Sequence, residues 1–461
     1  MSTKTNRKKF LKMASATIAG LSLAKANAFP LIDAKRTIIG SNERIRVGFI
    51  GVGNRGTQLL STFMKNPNCE VAALCDVYKP LTTRDYSQIN ERYLKLHRIP
   101  KMGENFGPGT ERYADYRKLL ENKSIDAVCI ASPDHWHALQ TIDAIKAGKD
   151  VYVEKPMSKT ITEGRAMINA GRNSKQIVTV GLNRRAAPLY QKLAQEIPAG
   201  KIGKVSFAQT CHVSNMFPNG IGKMKPEAPP ADFDWNMWLG PRAYRAYQYN
   251  IAPYMFRWWD DYANQISNNG VHFLDLIRWM LDEKAPVAVS AHGGKFVIDD
   301  DRTIPDTMSV TYEFASGRIV TINILEGATG SFIPYGYIEL RGTKGNIYTH
   351  ENDYKLVPAT AGQFQSYDKP MQEETFSIKD PKLKDSTTNL INNFLECIKS
   401  RKQPLATLED GHLSTTMAHL GTIAMKTKQR LVWDAQKERF TNSVEANNHL
   451  HYKYRAPWKL V

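Results

Sequence analysis

The 461-residue sequence contains no run of eighteen apolar residues, which excludes a segment that crosses a bilayer as a helix. Its five cysteines (Cys69, Cys75, Cys129, Cys211 and Cys397) are an odd number with no CxxC spacing, so they imply neither a disulfide framework nor a zinc site, and no other metal site is expected. Cys75 and Cys129 fall inside apolar, strand-like runs, where a thiol serves as a small hydrophobe. Blocks of five or six basic residues are also missing, although 62 Lys and Arg against 45 Asp and Glu give a formal charge of +17. Six of the basic residues lie in the first 28 positions with no acid among them, and the rest of the chain carries +11 spread along its length. Without a basic stripe or a binding motif this charge does not point to nucleic acid, and suggests at most an attraction to anionic surfaces or substrates. A composition of 42% hydrophobic and 23% charged residues is that of a globular protein, and its length suits about two or three domains.

What is present begins with an address. "TNRKKFLKMASATIAGLSLAKANAFP" has a basic stretch, a short run of small and apolar residues, and Ala26-Asn27-Ala28 as a cleavage site. The order of a basic pair, one residue and Phe-Leu-Lys resembles a twin-arginine export signal, with Arg7-Lys8 as the pair. Residues 1–28 are expected to be an export signal and 29–43 a linker, which places the mature protein in the periplasm. A frayed basic tail on a cytoplasmic protein is the alternative.

From Arg44 the chain reads "RIRVGFIGVGNRGTQLL", a short apolar strand followed by Gly51-Val52-Gly53-Asn54-Arg55-Gly56 and residues that suit a helix. Twenty residues beyond Gly56, the strand "EVAALCD" ends in Asp76. Each part has a task in holding a dinucleotide. Gly51 permits a tight turn, Gly53 lets backbone approach a pyrophosphate, Gly56 allows close helix–strand packing, and the helix N-terminus offers free N–H groups to phosphate. Asp76 is placed to accept hydrogen bonds from ribose hydroxyls and to repel a 2′-phosphate, so NAD is expected rather than NADP. The alternation then continues: "YADYRKLLENKSI" suits a helix, "DAVCIASP" a buried strand, "HALQTIDAIKAGK" a helix and "DVYVEKP" the next strand. Residues 78–112 form a long polar insertion with helical stretches.

The ends of parallel strands face the ligand crevice, so "SPDHWH" and "EKP" are expected to line one cleft. That brings Ser132, Pro133, His135, His137, Glu154 and Lys155 to the cofactor. Proline fixes its own backbone and pushes the preceding residue into an extended conformation, so Lys155 is aimed rather than loose.

These motifs, with "VGLNRRAAPLY", "GVHFLDLIRW" and "ELRGTKGNIY", resemble the glucose–fructose oxidoreductase, inositol dehydrogenase and rhizopine catabolism family from Arg44 to the C-terminus. The tail "RLVWDAQKERF…EANNHLHYKYRAPWKL" looks like a large exported or membrane-associated branch. The resemblance implies an α/β protein: an N-terminal Rossmann domain, here 44–165, and a C-terminal α/β domain with a mostly antiparallel open sheet, here 166–461. That sheet often buries against a second subunit, so a homo-oligomer is expected. The resemblance also carries to Lys155 the role of the lysine at the nicotinamide. Independently, "KVSFAQTCHV", "VAVSAHGGKFVI", "TMSVTYEFASGRIVTINIL" and "YIELRGTKGNIYTH" are β-rich, while "NLINNFLECIKS" and "GHLSTTMAHLGTIAMKTK" read as helices, the second as core.

One position departs from the family. Its Asp-x-x-x-His arrangement puts an acid and an imidazole on one helix face, but here "SNNGVHFLDL" has Asn268 four residues before His272. An amide can hydrogen-bond the ring or a sugar hydroxyl, yet it cannot stabilise an imidazolium as a carboxylate does. Lys155 and His272 are therefore the candidate acid/base residues, with Asp275 serving packing. Arg184 and Arg185 of "GLNRRAAP", with Trp258 and Trp259 of "MFRWWDDY", are candidates to shape a sugar site, a buried ion pair and core tryptophans being the other reading.

The expected activity is NAD-dependent interconversion of a secondary alcohol and a ketone on a sugar, polyol or glycoside, with oxidation at C3 of a glycoside as the particular form. A redox-assisted glycosidase is the alternative, although such relatives tend to lack Glu-Lys-Pro. A non-catalytic dinucleotide sensor is a third class, disfavoured by the presence of both Lys155 and His272.

Overall fold

Six short strands between Ile45 and Val180, apolar except for Glu111–Tyr113, pair into one parallel sheet in a computed structural model that describes residues 43–84, 87, 91, 109–364 and 371–460. The export signal expected at 1–28, the linker up to residue 42 and most of the insertion at 78–112 lie outside the described residues. The strands are β1 (Ile45–Ile50), β2 (Cys69–Cys75), β3 (Glu111–Tyr113), β4 (Ala127–Ile130), β5 (Asp150–Val153) and β6 (Val178–Val180), in the order β3-β2-β1-β4-β5-β6. Helices α1 (Asn54–Met64), α2 (Lys79–Thr83), α3 (Tyr116–Glu121), α4 (Asp134–Lys146) and α5 (Ile161–Arg172) lie between them. Strands covered on both faces have no solvent side to make polar, which is why "DAVCI" and "DVYV" read as continuous apolar runs. The strand order reverses between β1 and its two neighbours β2 and β4, and a crevice opens there. The expected boundary at 165 needs correction. It cuts α5, and the sheet runs on through β6, which pairs with β5.

The second half builds a ten-stranded sheet from β7 (Val205–Val213), β8 (Ala288–Gly294), β9 (Thr307–Glu313), β10 (Ile319–Leu325), β11 (Ile338–Gly342), β12 (Gly345–Thr349), β13 (Asp353–Pro358), β14 (Glu374–Ser377), β15 (Leu431–Asp434) and β16 (Arg439–Phe440). Its order is β14-β13-β12-β11-β7-β10-β9-β8-β15-β16, and all neighbours are antiparallel except β7 and β10. Met308, Val310 and Tyr312 on β9, with Val320, Ile322 and Ile324 on β10, are buried on one face. The alternate residues, among them Thr311, Thr321 and Asn323, stay partly exposed. This period-two pattern is that of a sheet packed on one side.

Helices α6 (Pro188–Glu196), α7 (Trp235–Leu239), α8 (Val271–Met280), α9 (Ser386–Ser400), α10 (Leu408–Thr427) and α11 (Val444–Asn447) complete the chain. The core helix α10 starts at a capping box on Thr407 and lies against the sheet, where Tyr312 donates to the Met417 carbonyl at 2.8 Å. Two late segments return to the first domain. Phe394 of α9 meets Tyr152 edge-on at 5.9 Å, Asn66 bonds Asn392, and Arg401 pairs with Asp150. The C-terminal tail crosses the outside of the crevice, with Trp458 edge-on to Trp136 at 4.7 Å and Arg455 bonded to Asn236 and Gly240.

Candidate active site

The glycine loop after β1 shows what each glycine does. Gly51 has φ +86°, and a Cβ there would lie 2.6 Å from the Ser132 amide nitrogen. At Gly56 a Cβ would sit 2.1 Å from the Gly51 carbonyl oxygen. Gly53 differs: a Cβ there would meet nothing within 4 Å, because the residue faces open space. Two glycines are demanded by the protein itself, and the third keeps clear a space that an approaching pyrophosphate fits.

That space is one end of a cavity of about 430 Å³. Gly51, Gly53, Asn54, Arg55, Asp76, Ser132, Pro133, His137, Glu154 and Lys155 line it, alongside His212, Trp258, Asn268 and Glu326 from the second half. The Asp76 carboxylate accepts from the amides of Val52 (2.9 Å) and Tyr78 (3.0 Å). Burial holds its pKa above the usual carboxylate value, with those amides and Arg84 pulling the other way. Val52 itself is buried behind the loop, where its carbonyl accepts from Arg84.

Lys155 lines the same cavity, just past β5. Its neighbour Glu154 is tied to Arg55 at 2.8 Å, which fixes the turn. The Lys155 ammonium nitrogen donates to both the backbone and side-chain oxygens of Asn268, at 2.6 and 3.0 Å. Burial lowers its pKa from 10.5 to about 8. Asn268 belongs to a π-helical turn, Ile266–Gly270, that leads into α8. In such a turn the four-residue rule for a shared face no longer holds, and of the two partners left open for the Asn268 amide, the His272 ring is not the one it meets. The amide turns to Lys155, and His272 Nδ1 is buried without a partner. Burial, aided by Lys155 and Arg184, drives the His272 pKa well below 6.5, so its ring is neutral at pH 7. His272 opens on an adjoining cleft that it shares with Arg184, His212 and Asn269.

Several sequence candidates lie elsewhere. His135 is a core residue: its Nε2 bonds the Trp238 carbonyl at 2.9 Å, and burial pushes its pKa to about 3. His137 does line the cavity, but its two nitrogens face the carbonyls of Pro156 and Ser132, tying two loops together. Arg185 is held by Asp275 (2.8 Å) and Asp410 (3.1 Å) in a buried ion-pair group, so it is not available to a sugar. Trp259 is core, bonded to the Asn250 carbonyl, whereas Trp258 reaches the cavity with its indole N–H fixed by Glu326.

Other groups at the site had no role assigned from the sequence, although Asp134 lies inside "SPDHWH". Asp134, at the start of α4, is buried with one carboxylate oxygen unpartnered. Burial raises its pKa against the pull of His137 and Lys155. Glu326, pushed up to about 7 by burial despite Arg302, also lines the cavity. The roof, with Phe233, Met237, Trp238 and Phe256, comes from the segment between β7 and α8. It is stitched to the first domain through Lys79 to Asp232 and Asp234 to Val77 backbone bonds. Only the run of aromatics in "DFDWNMWLG" hinted at it.

Residues 45–182 match the family model described as "Oxidoreductase family, NAD-binding Rossmann fold", and residues 202–460 match "Oxidoreductase family, C-terminal alpha/beta domain". A myo-inositol 2-dehydrogenase of Thermotoga maritima is 23% identical over 391 residues, covering 84% of this chain and 97% of that protein. An alpha-N-acetylgalactosaminidase of Shewanella oneidensis is 34% identical over 169 residues, covering 34% of this chain and 35% of that protein. The match thus spans about a third of the length of that relative. An aldose-aldose oxidoreductase from Caulobacter crescentus, solved with glycerol, superposes with a TM-score of 0.59 at 17% identity over 84% of this chain and 99% of that one, a likeness of fold.

Proposed function

We infer the function from one premise: this chain belongs to the glucose–fructose oxidoreductase, inositol dehydrogenase and rhizopine catabolism family of NAD-binding oxidoreductases. It interconverts a secondary alcohol and a ketone on a sugar, polyol or glycoside. The observation that carries this reading is Lys155, an amine with a lowered pKa lining the same cavity as a cleared glycine loop. NAD fits the residues present: the open space at Gly53 suits its pyrophosphate, and Asp76 suits a ribose diol. When bound it supplies the hydride acceptor.

Every other task falls to the chain. A neutral Lys155 amine spends its two N–H bonds on Asn268, which leaves its lone pair to take the substrate's hydroxyl proton. In the reverse direction the resulting ammonium returns that proton to the carbonyl oxygen. Neutral His272 can hydrogen-bond the substrate but does not serve as an imidazolium acid at pH 7. The similarity to an inositol dehydrogenase over most of both chains supports a polyhydroxylated ring as substrate.

The particular reaction we favour is oxidation at C3 of a glycoside. A ketone at C3 acidifies the C2 hydrogen, so a later enzyme can expel the aglycone by elimination. We also propose export to the periplasm, where no free NAD pool exists, and pairing of subunits through the outer face of the ten-stranded sheet. An exported enzyme must retain its cofactor, with a dissociation constant well below micromolar, on the order of −10 kcal/mol or better. It must also regenerate the cofactor with a second carbohydrate. A second reading, an NAD-dependent glycosidase, is favoured by the similarity to the galactosaminidase over 169 residues.

The test is to incubate purified protein with a panel of free sugars and glycosides and weigh the products. Products lighter by two hydrogens support the oxidoreductase. Released aglycone with no net oxidation supports the glycosidase instead.

A further inference from the structure

A second cleft, of about 580 Å³, opens between β7, the start of α8 and the loop from Gly330 to Tyr337. It shares His212 and Asn269 with the dinucleotide cavity, so it begins where Lys155 and Asn268 leave off. Its walls are rings. His350 stands edge-on to Tyr335 and Tyr337, with centroids 4.7 and 4.9 Å apart, while Phe332 is 45% exposed and Tyr337 41%.

One charge sits among these rings. The Arg184 guanidinium lies 4.6 Å over Phe273 and 5.4 Å from the Tyr337 centroid, and its Nη1 is buried with no acceptor. Among the described residues no carboxylate comes within ion-pairing distance of it. The adjacent Arg185, by contrast, has two. The residue as a whole is partly exposed and lines the cleft, so a guanidinium with no counter-charge of its own can take a ligand acid there. His272 Nδ1 is a second unpartnered atom on the same wall. Among the described residues the cleft wall holds no lysine and no second arginine, which matches one carboxylate better than a doubly charged phosphate.

We propose that this cleft is the subsite for the far half of the substrate, and that it takes a ring bearing a carboxylate. The ring lies on the face of Tyr337 and Phe332, and the carboxylate meets the fork of Arg184. The substrate class becomes a glycoside of an acidic sugar or of an acidic aryl group. This rests on the reading that the alcohol is oxidised next door, at Lys155. The cleft has room for one such ring, and the chain's +11 outside the first 28 residues favours encounter with anions.

The experiment separates binding from turnover. Calorimetry on the NAD-loaded protein compares 4-hydroxybenzoate with phenol, and glucuronate with glucose. In each anomer, 4-carboxyphenyl glucoside is compared with phenyl glucoside as substrate. The acidic member of at least one binding pair should bind at least about tenfold more tightly, the size of one charge-assisted hydrogen bond. Arg184→Gln should bring that ratio to one, and the pair that shows it says whether the ring is aryl or sugar. Equal binding within both pairs in the unaltered protein overturns the proposal, as does a preference that survives Arg184→Gln. If the binding preference holds but no glycoside is oxidised, the subsite stands and the oxidoreductase reading fails.

Discussion

Replacing Lys155 tests the chemistry at its centre. Burial brings its pKa from 10.5 to about 8. At pH 7 an amine with that pKa is about one-tenth neutral, against about one part in three thousand at 10.5, so burial raises the supply of free base about 300-fold. Oxidation needs the neutral amine, so kcat/KM should rise about tenfold per pH unit up to about pH 8 and then level off. Reduction needs the ammonium and should fall above the same pH. Lys155→Met should remove about 10²–10⁴ of the turnover while leaving NAD affinity within a small factor. Lys155→Arg is the discriminating partner: guanidinium keeps the positive charge but does not give up its proton, so it should be nearly as inactive as methionine. Stopped-flow absorbance of NADH between pH 6 and 9.5 reads all three. Near-normal rates in Lys155→Met, or a flat profile in the unaltered enzyme, would refute the reasoning, and full activity in Lys155→Arg would mean that charge alone is used.

Four further outcomes are expected. Asn268→Asp places a carboxylate beside the Lys155 nitrogen, 3.0 Å from the present amide oxygen, and should move the pH limb upward by about one unit or more, slowing oxidation at pH 7. Asp76→Ala should weaken NAD binding at least about tenfold by calorimetry, since a charge-assisted acceptor is lost. Gly53→Ala should keep the melting temperature but lose NAD affinity, because its methyl enters open space, whereas Gly51→Ala should cost about 1–3 kcal/mol of stability through its positive φ. Arg455→Ala removes the bonds to Asn236 and Gly240 that hold the roof segment, and should speed NAD release at least about fivefold in a displacement assay.

The first domain was readable because its physics is local. A strand buried on both faces must be apolar throughout, and the glycine spacing is itself a local pattern, although the Ser132 amide that Gly51 must clear comes from the end of β4. Lys155 could be placed because Pro156 and the strand before it restrict its backbone. The long helix of "GHLSTTMAHLGTIAMKTK" and the alternating strands after residue 200 carried their own periods. What stayed hidden depends on distant partners. Nothing near His135 says that Trp238, more than a hundred residues away, will take its Nε2, while His137, two positions on, reaches the cavity. Arg184 and Arg185 are adjacent and alike in sequence, yet opposite sides of one short 3₁₀ turn send one to a cleft and the other to Asp275. The π turn at Ile266–Gly270 shifts one side chain by part of a turn, enough to give Asn268 to Lys155 instead of to His272. Asp134 stands inside "SPDHWH" but had no role assigned to it there, and Glu326 stands in no motif; only the folded cavity shows that both face it.

The most direct measurement follows a single hydrogen. A glycoside oxidised in the product screen is prepared with deuterium on its ring carbons and given one turnover with freshly purified protein. The protein is then denatured and the released cofactor weighed. Reduced cofactor carrying one deuterium is expected, in near-stoichiometric amount and without added NAD, and none from Lys155→Met. Ketone formed with no deuterium in the cofactor, or a deuterated cofactor from Lys155→Met at the normal rate, would contradict it.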